Sequence, residues 1–192
     1  MELLGPRLKL RKFSFQEFDL NFLFEWRNCN NFIANCTNRR FKINFSNFVR
    51  ELENDFGKDR HVQFMIEKII GGNIIGTIYS YNFQSVDGYA FITLFINPEN
   101  QTRGYGPEAL ALFIDYLFKS HHLQKVYLEV YSYNHLSISP LVKSGFHLEG
   151  HFKNHRFFEG RRYDLFRFSL YIEELVKIEN FLTKLKKGGK NE

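Results

Sequence analysis

The chain has very little cysteine: Cys29 and Cys36 are the only two in 192 residues. Neither belongs to a CxxC pair or to a Cys/His ligand spacing, so the common zinc frameworks are excluded and no metal is expected. Two thiols in a chain this long suit a reducing compartment rather than a disulfide scaffold. Long apolar runs are also missing. None reaches the roughly 18 residues that read as a transmembrane helix. The opening Met1-Glu2-Leu3-Leu4-Gly5-Pro6 lacks the charged-then-apolar pattern of a secretory signal. The expectations are therefore no membrane and a cytoplasmic location. Internal repeats and linker-like stretches are absent too, which predicts one domain over residues 1–192.

What is present suits a packed core. Apolar residues make up 44 % of the chain and aromatics 18 %, with 23 Phe against a single Trp, enough to fold by ordinary burial. The net charge of +5 owes part of its sign to the tail Lys184-Leu185-Lys186-Lys187-Gly188-Gly189-Lys190. Elsewhere Lys and Arg are scattered among acids, which argues against nucleic acid and leaves an anionic small ligand compatible.

The periodicity predicts alternating strands and helices. Leu8 to Phe13 reads as a strand. Ser14, with Glu17 three residues on, has capping-box spacing for a helix carrying Phe18, Phe22 and Trp26 to about Asn28. Asn30 to Asn38 is polar and reads as loop. A second helix spans Phe45 to Phe56 and is closed by Gly57. Strands follow over His61–Ile69, Ile74–Phe83 and Tyr89–Ile96, with Gly71-Gly72-Asn73 and Val86-Asp87-Gly88 as turns. Next come a helix Gly104–Ser120, a strand Val126–Tyr131, a short helix Ser137–Ser144 and strands Phe146–His155 and Arg162–Tyr171. A last helix covers Ile172–Leu185. The class is α/β.

One segment carries chemistry. Gln101-Thr102-Arg103-Gly104-Tyr105-Gly106 joins a buried strand to a helix. Its two glycines allow close backbone approach. The helix start supplies unpaired N–H donors and the positive end of a dipole, a combination that binds phosphate. A Walker loop would end in Gly-Lys-Ser/Thr, which is absent. The dinucleotide fingerprint tolerates Ala109 as its third small residue. It also needs an acid at the end of the next strand, whereas Glu129 lies inside its strand.

In that context the chain resembles the GNAT superfamily of acyl-CoA N-acyltransferases, whose cofactor loop reads Gln/Arg-x-x-Gly-x-Gly/Ala. Gln101, Gly104 and Gly106 match it. Leu8-Lys9-Leu10-Arg11, Glu25-Trp26-Arg27-Asn28, Asn134-His135-Leu136-Ser137, Lys143-Ser144-Gly145-Phe146 and Glu149-Gly150 are similar to the branch of ribosomal-protein-alanine acetyltransferases. The resemblance implies an α+β fold whose mostly antiparallel sheet splays between its fourth and fifth strands. It implies acetyl-CoA as cofactor and direct transfer to a primary amine in a ternary complex. The acceptor implied is a small molecule such as an amino sugar, nucleotide-sugar or antibiotic. Alternatives are a peptide N-terminus and a non-catalytic acyl-CoA-binding module. A homodimer is compatible with the branch.

The resemblance also implies roles. Backbone amides of Arg103, Gly104, Tyr105 and Gly106, with Gln101, would hold the pyrophosphate, and backbone groups of Phe95 and Ile96 would pair with pantetheine. Asn134 would order the cofactor channel, although Asn and Ser at a helix start equally suit capping. Many members carry a Tyr acid where this chain has Leu141, and a Glu base at about Phe91. Ser137 or Ser139 could replace the acid. For the base, Glu129 leads, with Tyr131, Tyr79, His135 and Asp87 as other candidates. Glu129 suits a structural strand acid as well, and His135 and His121-His122 suit the surface. Trp26, Arg27, Tyr79 and Tyr131 are expected near the acceptor, with Asn30 to Arg40 choosing it. Trp26 suits core packing equally.

Overall fold

A computed structural model describes residues 1–39, 41–57 and 61–188. Gly189 and Lys190 of the basic tail, and Arg40 at the end of the acceptor-choosing segment, lie outside the described residues. Strands β1 (Glu2–Leu4), β2 (Leu8–Lys12), β3 (Val62–Lys68), β4 (Ile74–Gln84), β5 (Tyr89–Ile96), β6 (Lys125–Tyr131), β7 (His147–Phe158) and β8 (Arg161–Tyr171) form one sheet. Its spatial order is β1-β2-β3-β4-β5-β6-β8-β7. The β5–β6 pairing is parallel and the others are antiparallel.

Each face of the sheet carries a core, and alternation along β3 shows why. Phe64 and Ile66 point to one face, where they join α4 (Tyr105–Ser120) through Ala109, Phe113 and Leu117. α6 (Leu175–Gly188) packs beside α4 through Ile178. Met65 points to the other face. There it meets Phe13, Leu23, Trp26, Phe48 and Phe95 under α1 (Glu17–Arg27) and α3 (Phe45–Phe56). The period of two in the strand distributes its apolar residues to both layers.

The feature that creates a site is where β5 and β6 part. They pair from Tyr89↔Lys125 to Ile92↔Leu128 and no further. Beyond that point β5 stays paired to β4 as far as Ile96↔Gly76, and β6 stays paired to β8 as far as Tyr131↔Leu165. Both facing edges therefore carry backbone groups that the sheet leaves without a ladder partner, and these can hydrogen-bond a ligand.

Four expectations need correction. The Asn30–Asn38 stretch is not all loop: α2 spans Asn30–Asn35. Its start is capped by the Cys29 sulfur, which accepts from Phe32 N, and Phe32 and Ile33 are buried. Tertiary burial of that apolar pair overrides the weak helix propensity of asparagine. Ser14 does not cap α1. The cap is Gln16, and Ser14 instead donates through both its backbone N–H and its hydroxyl to the buried Asp19 carboxylate. The strand β1, too short to show a pattern, was not expected. The short α5 begins at His135 rather than Ser137 and ends at Lys143. None of the described helices is long and apolar enough to cross a membrane.

Candidate active site

The splay opens a cleft of about 1180 Å³. One wall is the freed end of β5 and the loop after it. The other is the end of β6 with α5, and Phe181 of α6 reaches its rim. Gly104 and Gly106 line the cleft where α4 begins. Gly104 sits at φ +76° and, having no side chain, cannot cap the helix, so the first-turn amides of α4 lack intrahelical acceptors and, among the described residues, a side-chain cap from the N-cap position. A polyanion fits there, on amides and a helix dipole.

The sequence-predicted residues divide into two groups here. Gln101 lines the cleft, but its amide also donates to Ile96 O at 2.9 Å. It ties the loop back onto β5, and the Ile96 carbonyl is thereby occupied. The Arg103 side chain is exposed, and the Tyr105 ring lies under the Arg7 guanidinium at 5.0 Å. For both, the backbone rather than the side chain is what can face a ligand. Phe95 and Ile96 line the cleft while burying their side chains in the two cores.

Across the cleft, Asn134 occupies the N-cap position of α5 yet makes no side-chain cap hydrogen bond. Its amide is free to serve the cleft it lines. Ser137 lines the cleft as well; Ser139 is exposed and lies outside the lining. Leu141, at the position where a Tyr acid is usual, is buried and apolar.

A second pocket of about 570 Å³ adjoins the first, and the two share Asn35, Cys36, Thr93 and Glu129. Its walls carry the rings of Tyr79, Tyr81 and Tyr131, the carboxylate of Asp55, and His61. Burial raises the Tyr79 and Tyr81 phenols above their ordinary value, so both stay neutral. Glu129 pairs with Arg167, which donates through Nη2 at 2.6 Å and Nε at 3.0 Å to the same oxygen, Oε1. Both of these bonds go to Oε1, and among the described residues none is seen at Oε2. Burial pushes the Cys36 thiol up to about 12, so at neutral pH it is no thiolate nucleophile.

Two predicted acceptor residues lie deeper. Trp26 packs at a tilt against Phe22 and Phe95 and is not part of the pocket lining. Arg27 is buried within electrostatic range of Tyr79 and is not part of the pocket lining. Burial lowers its pKa, and its Nη1 has no partner among the described residues.

Two groups escaped the sequence reading. Arg156 of β7 is buried and donates to Ile33 O at 2.8 Å and Thr37 O at 2.7 Å, while lying 4.4 Å from the Tyr131 ring. With Tyr133, whose hydroxyl donates to Ala34 O, it fastens the end of α2 over the pocket. Nothing local marks either residue, because the partners they hold lie far away in sequence. His61 is the other. Thr77 donates to Phe64 O, so it accepts from Gln63 Nε2, and Gln63 Oε1 must face His61 Nε2. That chain fixes the N–H on Nε2 and leaves Nδ1 as a bare acceptor. Burial lowers the imidazole pKa below its ordinary value.

Comparison with known proteins agrees with this architecture. A family model described as an acetyltransferase (GNAT) domain matches residues 14–166. The spermidine N(1)-acetyltransferase of Vibrio cholerae is 27 % identical over 144 residues, 71 % of this chain and 83 % of that protein. A probable N-acetyltransferase of Bacillus subtilis is 31 % identical over 105 residues, 53 % of this chain and 57 % of that one. A crystal structure of the Vibrio cholerae spermidine N-acetyltransferase with CoA and spermine superposes with a TM-score of 0.80. It is 24 % identical and covers 88 % of this chain and 98 % of that one. With the splayed sheet and the open amides at the start of α4, these matches place the chain in the GNAT acetyltransferase family, as an N-acetyltransferase whose co-substrate is acetyl-CoA.

Proposed function

We propose that this chain, acting as one catalytic unit over residues 1–192, moves the acetyl group of acetyl-CoA directly onto a primary amine of a small cationic molecule. The carrying observation is the junction of the two pockets at Cys36, Thr93 and Glu129. The amides of Arg103 to Gly106 hold the pyrophosphate. The freed edge of β5 at Phe95 and Ile96, with Asn134 opposite, guides the pantetheine arm toward that junction. The acceptor enters from the smaller pocket. Its amine nitrogen forms the C–N bond as the C–S bond breaks. The thiolate takes a proton from Ser137, directly or through water, and the amine loses one. Because the Cys36 thiol is held protonated, the chemistry favours direct transfer over an acyl-enzyme.

The walls favour a cation. Tyr79, Tyr81 and Tyr131 line the pocket together with the acids Asp55 and Glu129, and an aromatic, acidic lining attracts a cation. Glu129 orients the attacking amine through Oε2 and takes up its proton; Tyr79 and Tyr131 flank the chain behind it. Trp26 and Arg27 support the pocket from the buried layer beneath it rather than by lining it. The similarity to a spermidine acetyltransferase points the same way, toward a di- or polyamine. The nucleotide-sugar reading suits these acidic walls less well, since its phosphates would meet Asp55 and Glu129; an amino sugar, itself a cation, is a competitor that an acceptor panel separates. A peptide N-terminus of the ribosomal-protein branch type remains the second amine class to test. Free Cys29 and Cys36 fit a cytoplasmic enzyme. The exposed edge strand β7, with Leu148 and Phe152 outward, offers a surface for a homodimer.

The test is thiol release from acetyl-CoA with a panel of spermidine, simple diamines, amino sugars and N-terminal peptides. Turnover with the polyamines is expected to exceed the rest by at least about tenfold in kcat/KM. Faster turnover of a sugar or a peptide would overturn the acceptor assignment. Acetyl-CoA binding without turnover of any amine would favour a non-catalytic module.

A further inference from the structure

The cofactor loop is gripped from behind by the N-terminal turn. Arg7, between β1 and β2, donates from Nη1 to Arg103 O at 3.1 Å and from Nη2 to Gly104 O at 2.9 Å. Its Nε donates to Glu108 Oε2 at 2.8 Å, and its backbone N–H donates to Glu108 Oε1 at 2.9 Å. Leu8 N adds a third bond to that carboxylate at 3.1 Å. Glu108, in the first turn of α4, is wholly buried. The packing is close: a Cβ at Gly5 would stand 2.7 Å from Glu108 Oε1. One arginine thus joins a buried carboxylate and two consecutive loop carbonyls.

Peptide planarity turns this grip into a consequence for the ligand. In a trans peptide the C=O of one residue and the N–H of the next point in opposite directions. Holding Arg103 O and Gly104 O toward Arg7 therefore aims the N–H groups of Gly104 and Tyr105 the other way. Gly104 is left-handed at φ +76°, and Gly104 and Gly106 both line the cleft. A second effect is electrostatic. Glu108 is a carboxylate within one helical turn of the amides that would hold a pyrophosphate, and the Arg7 guanidinium offsets its charge.

We infer that Arg7, through its bonds to Glu108, Arg103 O and Gly104 O, is a positioning residue for cofactor binding: it pre-orients two loop amides toward the CoA pyrophosphate. This rests on the loop's being the pyrophosphate site. Its signature is selectivity for the phosphate-bearing part of the cofactor, with the chemistry at the amine left alone. Arg7→Gln keeps hydrogen-bonding capacity but loses the charge and the fork. Arg7→Lys keeps the charge near Glu108 but cannot serve both carbonyls, so it guards against a variant that only fails to fold.

The experiment compares acetyl-CoA with S-acetylpantetheine, a thioester without phosphate, as donors for wild type, Arg7→Lys and Arg7→Gln. For wild type, kcat/KM with acetyl-CoA should far exceed that with S-acetylpantetheine. Both variants should raise KM for acetyl-CoA, roughly tenfold to a hundredfold. Their kcat at saturation and their activity with S-acetylpantetheine should stay near wild type. An unchanged KM for acetyl-CoA in both variants would overturn the role of Arg7. So would an equal loss with both donors, which would mark a general structural defect. A wild type that does not distinguish the two donors would instead sink the pyrophosphate assignment of the loop, and with it this inference.

Discussion

On the cofactor side of the cleft, strand, loop and helix follow one another from Phe95 through Gly106, and a short stretch of sequence supplies the free edge, the glycines and the open amides. On the acceptor side, α2 is held by Tyr133 and Arg156, which lie 99 and 123 residues away from the carbonyls they hold. The first side is built by local backbone geometry, the second by side chains meeting across the splay. Changes to the cofactor side should therefore act on binding of one ligand through the backbone. Changes to the acceptor side should act through tertiary fastening and wall charge, and should leave the cofactor alone.

The sharpest way to break that contrast is at the loop. Gly104→Asp together with Gly106→Asp adds two negative charges to the loop that would hold a pyrophosphate, the first of them beside its Arg7 support, and forces an L-residue into φ +76°. Loss of acetyl-CoA affinity on the order of a hundredfold or more is expected. Thermal shift with CoA reads it directly, and retained affinity would refute the loop assignment. Next in size is Glu129→Gln, which keeps the shape but removes the charge at the pocket junction. It should lower kcat/KM for a diamine by roughly tenfold to a hundredfold while leaving the Kd for CoA unchanged. An equal effect on both ligands would erase the distinction between the two sides.

The two sides also differ in how far the sequence disclosed them. Gln101, Gly104 and Gly106 announce themselves, because the physics of phosphate binding needs glycines at a strand-to-helix junction. The splay follows from the family resemblance, and the register that ends at Ile92↔Leu128 gives it a position. α2 stayed hidden because asparagine-rich sequence predicts a turn, while the burial of Phe32 and Ile33 is decided by residues elsewhere in the chain. The same holds for Arg156: a basic residue in an alternating strand looks like any solvent-facing arginine until its carbonyl partners are in place. His61 is ordinary in sequence and acquires its tautomer only when Gln63, two residues on, is itself oriented by Thr77 of the neighbouring strand β4. Trp26 illustrates the reverse case, a residue with a functional resemblance whose ring is taken up by the core.

Arg156→Ala tests the fastening itself. It frees Ile33 O and Thr37 O and removes the cation from the faces of Tyr131 and Phe158. Loss of two bonds from a buried guanidinium should cost about 2 kcal/mol. That corresponds to a fall in Tm of about 4–8 °C for a chain of this size. The KM for the amine should rise several-fold, and the KM for acetyl-CoA should hold. A variant with unchanged amine KM would show that α2 keeps its place without the latch.

The smallest effect is expected where β5 and β6 are still joined, away from both ligands. Glu149 of β7 accepts from Lys125 Nζ at 2.9 Å and from the Tyr127 hydroxyl at 2.9 Å. Partial burial pushes its pKa up, but the Lys125 ammonium and the hydrogen bonds outweigh that and bring it from the ordinary 4.5 to about 2. A carboxylate whose folded value is depressed stabilises the fold fully above its unfolded value and loses that contribution as pH falls toward the folded one. The window here is pH 4.5 down to about 2. Tm measured across that window should fall less steeply for Glu149→Gln than for wild type, and the two curves should converge at the acid end. Activity at neutral pH should be unchanged, since Glu149 lines neither pocket. A loss of activity in this variant would mean that the closed base of the splay governs the geometry of both sides, and the division between a locally built cofactor site and a tertiary acceptor site would have to be redrawn.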